Sequence, residues 1–273
     1  MTRAIVHSET VPTRSPASSL TFARVARMLR VEIGAELLKH VRLPIYAVST
    51  IAFPVMFYVL FATMQNGEGP VHVPTYMLAT YGAFGVIGAS LFSFGVSVAV
   101  ERAQGWMRLK RASPLPGAVT VVARLANALV FSAAIVAVLL VVGTLVAGVR
   151  LTAGEVLALF GVHLLAALPF CVIGQALGYA LGPNSAPVVI NLAYLPMAFA
   201  SGLWMPIDML PPFVQAIAPW LPAYHHGQLA LASLGFAPAD AVPGHVAALL
   251  ITTAIAGVGA VIAYRRASLA TYG

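Results

Sequence analysis

Long stretches of this sequence contain no Asp, Glu, Lys or Arg, among them Leu43 to Gly67, Gly69 to Val100, Leu125 to Val149 and Val156 to Ile207. Each can hold the roughly 20 apolar residues that carry a helix across a bilayer. A soluble fold would have to bury all of them. With 60% of residues hydrophobic and 8% charged, the chain has too little polar surface to do so. The expected fold class is therefore all-α, a polytopic membrane protein.

The fourth stretch is about twice the length of one span, and Gly182-Pro183-Asn184-Ser185-Ala186-Pro187 interrupts it with two prolines and no charge. It reads as two spans. A further apolar run from Val242 to Tyr264 ends at Arg265 and Arg266. The expectation is six transmembrane helices, at about 43-65, 74-100, 125-149, 156-181, 188-207 and 242-264, forming a permease domain over 43-264. A disordered tail is expected over 1-19 and a short polar tail over 265-273. A polar, Arg-containing region precedes Leu43, and the first apolar run has span length, so a cleaved signal peptide is not expected.

The basic residues set the orientation. Arg3, Arg14, Arg24, Arg27, Arg30, Lys39 and Arg42 precede the first span, Arg102, Arg108, Lys110, Arg111 and Arg124 follow the second, and Arg265 and Arg266 follow the last. Only Arg150 falls on the other face, where Glu68, Glu155, Asp208 and Asp240 lie. Positive residues near span ends stay in the cytoplasm, so both termini are expected there. The net charge of +7 is then a topology signal and gives no reason to invoke nucleic acid.

Between Phe22 and Leu37, the residues Phe22, Val25, Leu29, Ile33 and Leu37 recur at spacings of three and four, with Arg24 and Arg27 opposite. Residues 20-42 are expected to form a cytoplasmic amphipathic helix along the membrane surface, with Glu36 spoiling its apolar stripe. The lone Cys171 has no disulfide partner and reads as a small core residue.

The interval 101-116, ERAQGWMRLKRASPLP, concentrates charge between two segments that have none. Gly105 offers a bend. Trp106, Met107 and Leu109 alternate with Arg108, Lys110 and Arg111, and Pro114 and Pro116 stop any helix. A short amphipathic helix so bounded suits a groove on another protein, with basic residues meeting acidic ones at the rim. A solvated turn, with Trp106 in the interfacial aromatic belt, is the plain alternative.

Here the sequence resembles the ABC type-2 exporter permeases. In that family the loop after the second span reads approximately Glu-Arg-Glu, then Gly, an apolar residue, a charged residue, and Pro after a short helix. The match covers Glu101, Arg102, Gly105, Leu109 and Pro114, with Ala103 in place of the second acid. The Gly-Trp-Met-Arg run is similar to drug and antibiotic exporters of the family. The resemblance implies a coupling helix through Glu101, Arg102, Gly105, Trp106, Arg108, Leu109 and Pro114, contacting a P-loop ATPase subunit.

A second match lies at Ser201-Gly202-Leu203-Trp204-Met205-Pro206, followed by Leu210-Pro211, Pro219 and Pro222. It resembles the family's external re-entrant segment between spans five and six and implies an external gate at Trp204, Pro206, Leu210 and Pro211. The prolines forbid a straight crossing here, and short helices that dip in and return, buried by protein, would satisfy their backbone. The alternative is a loop lying on the headgroups. The resemblance extends over nearly the whole chain from Leu20.

The family reading implies a bacterial cytoplasmic (inner) membrane location and a second permease subunit, identical or different. ATP and Mg2+ would belong to the partner ATPase, with no cofactor bound by this chain. The residues agree on one point: a P-loop needs Gly before its Lys, and Lys39 and Lys110 each follow Leu. No catalytic or metal residue is expected. His225-His226 are adjacent rather than one turn apart and read as a membrane-surface pair. An ion- or proton-coupled transporter or channel is the competing class, yet no Asp, Glu, Lys or Arg falls well inside any span. His163, the one imidazole in a span, reads as hydrogen-bonded between helices. Phe92, Phe94, Tyr194 and Met197 are candidate lining residues for a lipophilic or amphipathic substrate, with a lipid-linked glycan as alternative cargo. Gly174, Gly178 and Gly182, and Ala89, Ser93 and Ser97, form small-residue stripes for close helix packing.

Overall fold

The computed structural model describes residues 22–42, 44–64, 72–113 and 115–269. The expected tail over 1-19 and the chain from 270 lie outside the described residues, as does Pro114. The elements are α1 (Phe22–Arg42), α2 (Pro44–Met64), α3 (Val73–Ala103), α4 (Trp106–Ala112), α5 (Gly117–Val146), α6 (Ala153–Ala180), α7 (Ser185–Ala200), α8 (Pro212–Ile217), α9 (Pro222–Ala232) and α10 (Val242–Leu269), with no strand among the described residues. Four helices, α3, α5, α6 and α10, are long and apolar enough to cross a membrane, while α2 and α7 contribute the shorter apolar stretches Thr50–Ala62 and Ser185–Ala200. The chain is a multi-pass helical membrane protein.

Helix α3 is the axis of the bundle: 78% of its most apolar window is buried, against 11% for α10. Its contacts are close because the residues facing them are small. A Cβ on Gly178 of α6 would lie 2.6 Å from the Gly95 carbonyl oxygen, and one on Gly174 2.8 Å from that of Leu91. The glycine stripe of α6 is therefore the seam against α3 within one chain. Gly182, its third member, lies beyond the end of α6 and meets only Ser185. Cys171 is buried against Phe94 and Ala128.

Two helix bounds depart from the expected spans for local reasons. Helix α5 starts at Gly117 rather than near 125, directly after Pro116, whose φ of −63° already suits a helix entry. Arg124 is thereby taken out of the expected loop and placed two turns inside a helix. Helix α7 ends at Ala200 rather than near 207, because Gly202 takes φ +74° and its N–H caps the Phe199 carbonyl. At the same end of the bundle, Thr152 and Glu155 start α6 with a reciprocal capping box.

Between α7 and α10 the prolines cut the chain into short helices, α8 and α9 opening at Pro212 and Pro222. Phe213 and Trp220 remain exposed, whereas α9 returns into the bundle against α3, α6, α7 and α10, with Ala223, His226 and Ala230 fully buried. This segment is neither a crossing helix nor wholly a surface loop.

Candidate functional site at the charged end of the bundle

Helix α3 ends because Gln104 and Gly105 turn the chain, Gly105 at φ +78°, a conformation that favours glycine. The turn sets α4 beside the first helix. Ser113 ends α4, its N–H bonding the Leu109 carbonyl and its hydroxyl donating to the Lys110 carbonyl at 2.7 Å.

Three carboxylates, Glu32 and Glu36 of α1 and Glu101 of α3, meet three cations here, Lys39 of α1, Lys110 of α4 and Arg124 of α5. Lys39 Nζ lies 2.7 Å from Glu101 Oε1 and 3.0 Å from Glu36 Oε1. Lys110 Nζ lies 2.6 Å from Glu32 and 3.7 Å from Glu101. Arg124 donates through Nη2 to Glu101 and brings Nε within 3.8 Å of Glu36. The side chains of Glu36, Arg124 and Glu101 are only 4%, 6% and 10% exposed. Charges removed from water to this degree persist only when paired. Burial works against the charge of Lys39, but the hydrogen bond and charge of Glu101, with those of Glu36, outweigh it and hold its pKa above the usual lysine value.

Arg102 turns the other way. Its Nη1 donates to the carbonyls of Gly178, at 3.1 Å, and Tyr179, placing a cation on the C-terminal turn of α6. Glu101 and Arg102 thus divide one helix end between two sets of neighbours.

Two apolar side chains of α4 stand uncovered: Trp106 is 51% and Leu109 63% exposed. The Arg108 side chain, like Pro114, lies outside what the structure describes. Among the described residues the cluster's charged side chains are paired with one another. The pairs tie a short helix to α1 and α3 and leave Trp106 and Leu109 uncovered.

The far end of the bundle carries an aromatic cluster. Trp204 stacks on Phe57 at 6.2 Å and meets Phe84 and Phe199 edge-on, while the Tyr81 hydroxyl donates to the Trp204 carbonyl. Leu210 is buried, Pro206 half-buried and Pro211 exposed. Tyr194 stacks on Phe84 at 5.0 Å, donates to its carbonyl at 2.6 Å, and faces Phe92 edge-on. Met197 is half-buried on the same helix. Phe94 packs in the interior of α3, α5 and α6, away from the other three.

The histidines are a correction to the sequence reading of His225-His226 as a surface pair. His226 is fully buried, and its Nε2 meets Nδ1 of His163 at 3.0 Å. His225, half-buried, meets Nδ1 of His245 in α10 at 2.8 Å. Adjacent residues on α9 point to opposite neighbours, so one dipeptide ties α9 to both α6 and α10. His163 is hydrogen-bonded between helices, as its place in a span implied. Among the described residues no three His, Cys, Asp or Glu converge on a metal-sized site.

Sequence reasoning found Glu101 and Arg102 but not the partners Glu32, Glu36, Lys39 and Arg124. One signal was available: Glu36 interrupts the apolar stripe of α1, and an acid on an inward helix face asks for a buried cation.

Residues 29–235 match a family model described as ABC-2 type transporter. The chain is also similar to a protein of Bacillus subtilis (strain 168) bearing the name "Putative transport permease YvfS", at 28% identity over 202 residues, covering 73% of this chain and 82% of the relative.

Proposed function

The chain belongs to the ABC-2 type transporter family, and from that premise we propose that it is the membrane-spanning permease subunit of an ATP-driven exporter for lipophilic or amphipathic compounds, drug- or antibiotic-like in kind. On this reading α2 and α7 complete six spans, both termini face the cytoplasm, and a second permease subunit completes the transport path. ATP and Mg2+ are bound by a separate P-loop ATPase subunit.

One observation carries the reading: α4 is anchored and yet uncovered. Lys110 ties it to Glu32 and Glu101, while Trp106, one turn before Lys110, and Leu109 stand exposed beside that anchor. An apolar pair of this size on a short, anchored helix is the form of a hot spot for a partner's groove. The substrate path is assigned to Phe92, Tyr194 and Met197, which share one aromatic corner of α3 and α7. Phe94 is left out because it packs away from that corner, against Ala128 and Cys171. The gate is assigned to Trp204, Pro206, Leu210 and Pro211. An ion- or proton-coupled carrier is the competing reading, and its obvious element would be the buried His163–His226 pair.

The test is gentle detergent extraction of the tagged full chain from its native membrane, with mass spectrometry of what accompanies it and an ATPase assay. The expected outcome is recovery of a P-loop ATPase with wild type and its loss with Trp106→Ala/Leu109→Ala, the variant still eluting as a folded species. Recovery of the folded wild-type chain alone would refute the coupling role and favour the carrier.

A further inference from the structure

A pair of arginines outside the charge network shares a cleft between α6 and α10. The cleft holds about 460 Å³ and is lined by Arg102, Tyr179, Gly259, Ile262, Ala263 and Arg266, among others. That volume falls within the roughly 300–1,000 Å³ of ordinary small-molecule sites. Among the described residues neither guanidinium meets a carboxylate. Arg102 spends Nη1 on two backbone carbonyls, and a guanidinium has five N–H donors. Arg266 is exposed.

The lining is graded along its length. Gly259, Ile262, Ala263 and Arg266 are spaced as one face of α10, and at 1.5 Å per residue the arginine sits about 10 Å from the glycine along the axis. Ile262 is 46% exposed. Both arginines stand just past an apolar stretch, Arg102 after 69–100 and Arg266 after 242–264, so the charged mouth lies where hydrocarbon gives way to headgroups. Tyr179, which lines the cleft, packs edge-on against Tyr264 at 5.3 Å.

We infer that this cleft binds an anionic phospholipid, its phosphate between Arg102 and Arg266 and an acyl chain along Gly259, Ile262 and Ala263. Basic pockets between membrane helices hold acidic headgroups by this chemistry. A free phosphate would share the arginines but gain nothing from the apolar wall. The inference does not depend on the exporter reading, since it concerns a resident lipid and no ATPase is needed to test it.

The experiment uses the full chain in detergent, titrated with phosphatidylglycerol or phosphatidylcholine of identical acyl chains and read by native mass spectrometry and thermal stability. Inorganic phosphate forms a third arm. Phosphatidylglycerol is expected to be retained and to protect, with Arg266→Gln weakening its retention about fivefold, as loss of roughly one near-surface basic contact implies. Arg102→Gln should weaken it too, but that change also uncaps α6, so Arg266→Gln is the cleaner variant. Arg150→Gln, at the other end of the bundle, should change nothing. Equal retention of the two lipids, a preference that survives both Arg266→Gln and Arg102→Gln, or equal protection by millimolar phosphate would each overturn the assignment.

Discussion

Replacing Glu101 with Gln removes the negative charge closest to the centre of the network while keeping the side chain's size. Lys39 then loses its 2.7 Å partner and Lys110 its 3.7 Å one. Arg124, 6% exposed, keeps only Glu36 at 3.8 Å. The six described groups carry three charges of each sign, so the variant leaves one of their positive charges uncompensated in a largely buried cluster. Breaking a fully buried pair costs about 3–5 kcal/mol. Lys39 is 47% exposed and can turn to water, so its part is discounted and about 2–4 kcal/mol remains. Arg124→Met should cost a similar amount by leaving Glu101 and Glu36 short of a cation. The double variant restores neutrality and should be more stable than the sum of the two losses implies, by about 1–3 kcal/mol. Thermal unfolding of the detergent-purified proteins measures all four corners of the cycle. Strictly additive losses, or an unaffected Glu101→Gln protein, would refute the idea that these charges act as one buried unit.

Gly178→Ala should destabilise by about 1–3 kcal/mol, since its methyl would meet the Gly95 carbonyl at 2.6 Å and the Val98 Cβ at 2.7 Å. Gly161→Ala on the same helix, with nothing within 4 Å, should be neutral or gain up to about 1 kcal/mol, and the two can be ranked in one melting series. The packing of α9 on α10 should also weaken in acid. His225 Nε2 faces the Pro219 carbonyl at 3.0 Å and so carries the hydrogen, leaving Nδ1 to accept from His245. Burial, partly offset by that carbonyl, holds the His225 pKa below its ordinary 6.5. A depressed histidine contributes stability above the unfolded value, lost as pH falls through the lower folded value. His245 and Tyr224 pack on the same ring, with Asp208 close enough to influence Tyr224. Melting temperature should therefore drop below about pH 6 in wild type and less in His225→Gln; identical profiles would remove His225 from the explanation.

The helices and their approximate order were legible because lipid imposes a simple rule, an apolar run long enough to cross. Helix ends were less so, since they depend on single residues: Pro116 brought α5 forward and Gly202 cut α7 short. The hinge was visible as a charge cluster, and Gly105 as its bend. Its partners were not, because Glu32 and Glu36 lie far along the chain from Lys110 and Arg124, and no local pattern records a meeting between α1 and α5. The direction of the histidines was lost for a similar reason. Adjacent residues on a helix point apart, but only the packing of α6 and α10 on either side of α9 decides what each one finds.

Because Gly105 is a swivel and Lys110 is tied to Glu32, α4 behaves as a strut pinned at two points. On the proposed reading, a load on Trp106 and Leu109 would reach the bundle by two routes: along the chain into α3, and sideways through the ion pair into α1. Under the proposed coupling role, α1 and the central helix would share that load. Removing Glu32 would leave Lys110 with Glu101 at 3.7 Å and Glu36 at 4.0 Å, so the sideways tie would lengthen and shift to its neighbours before it was lost.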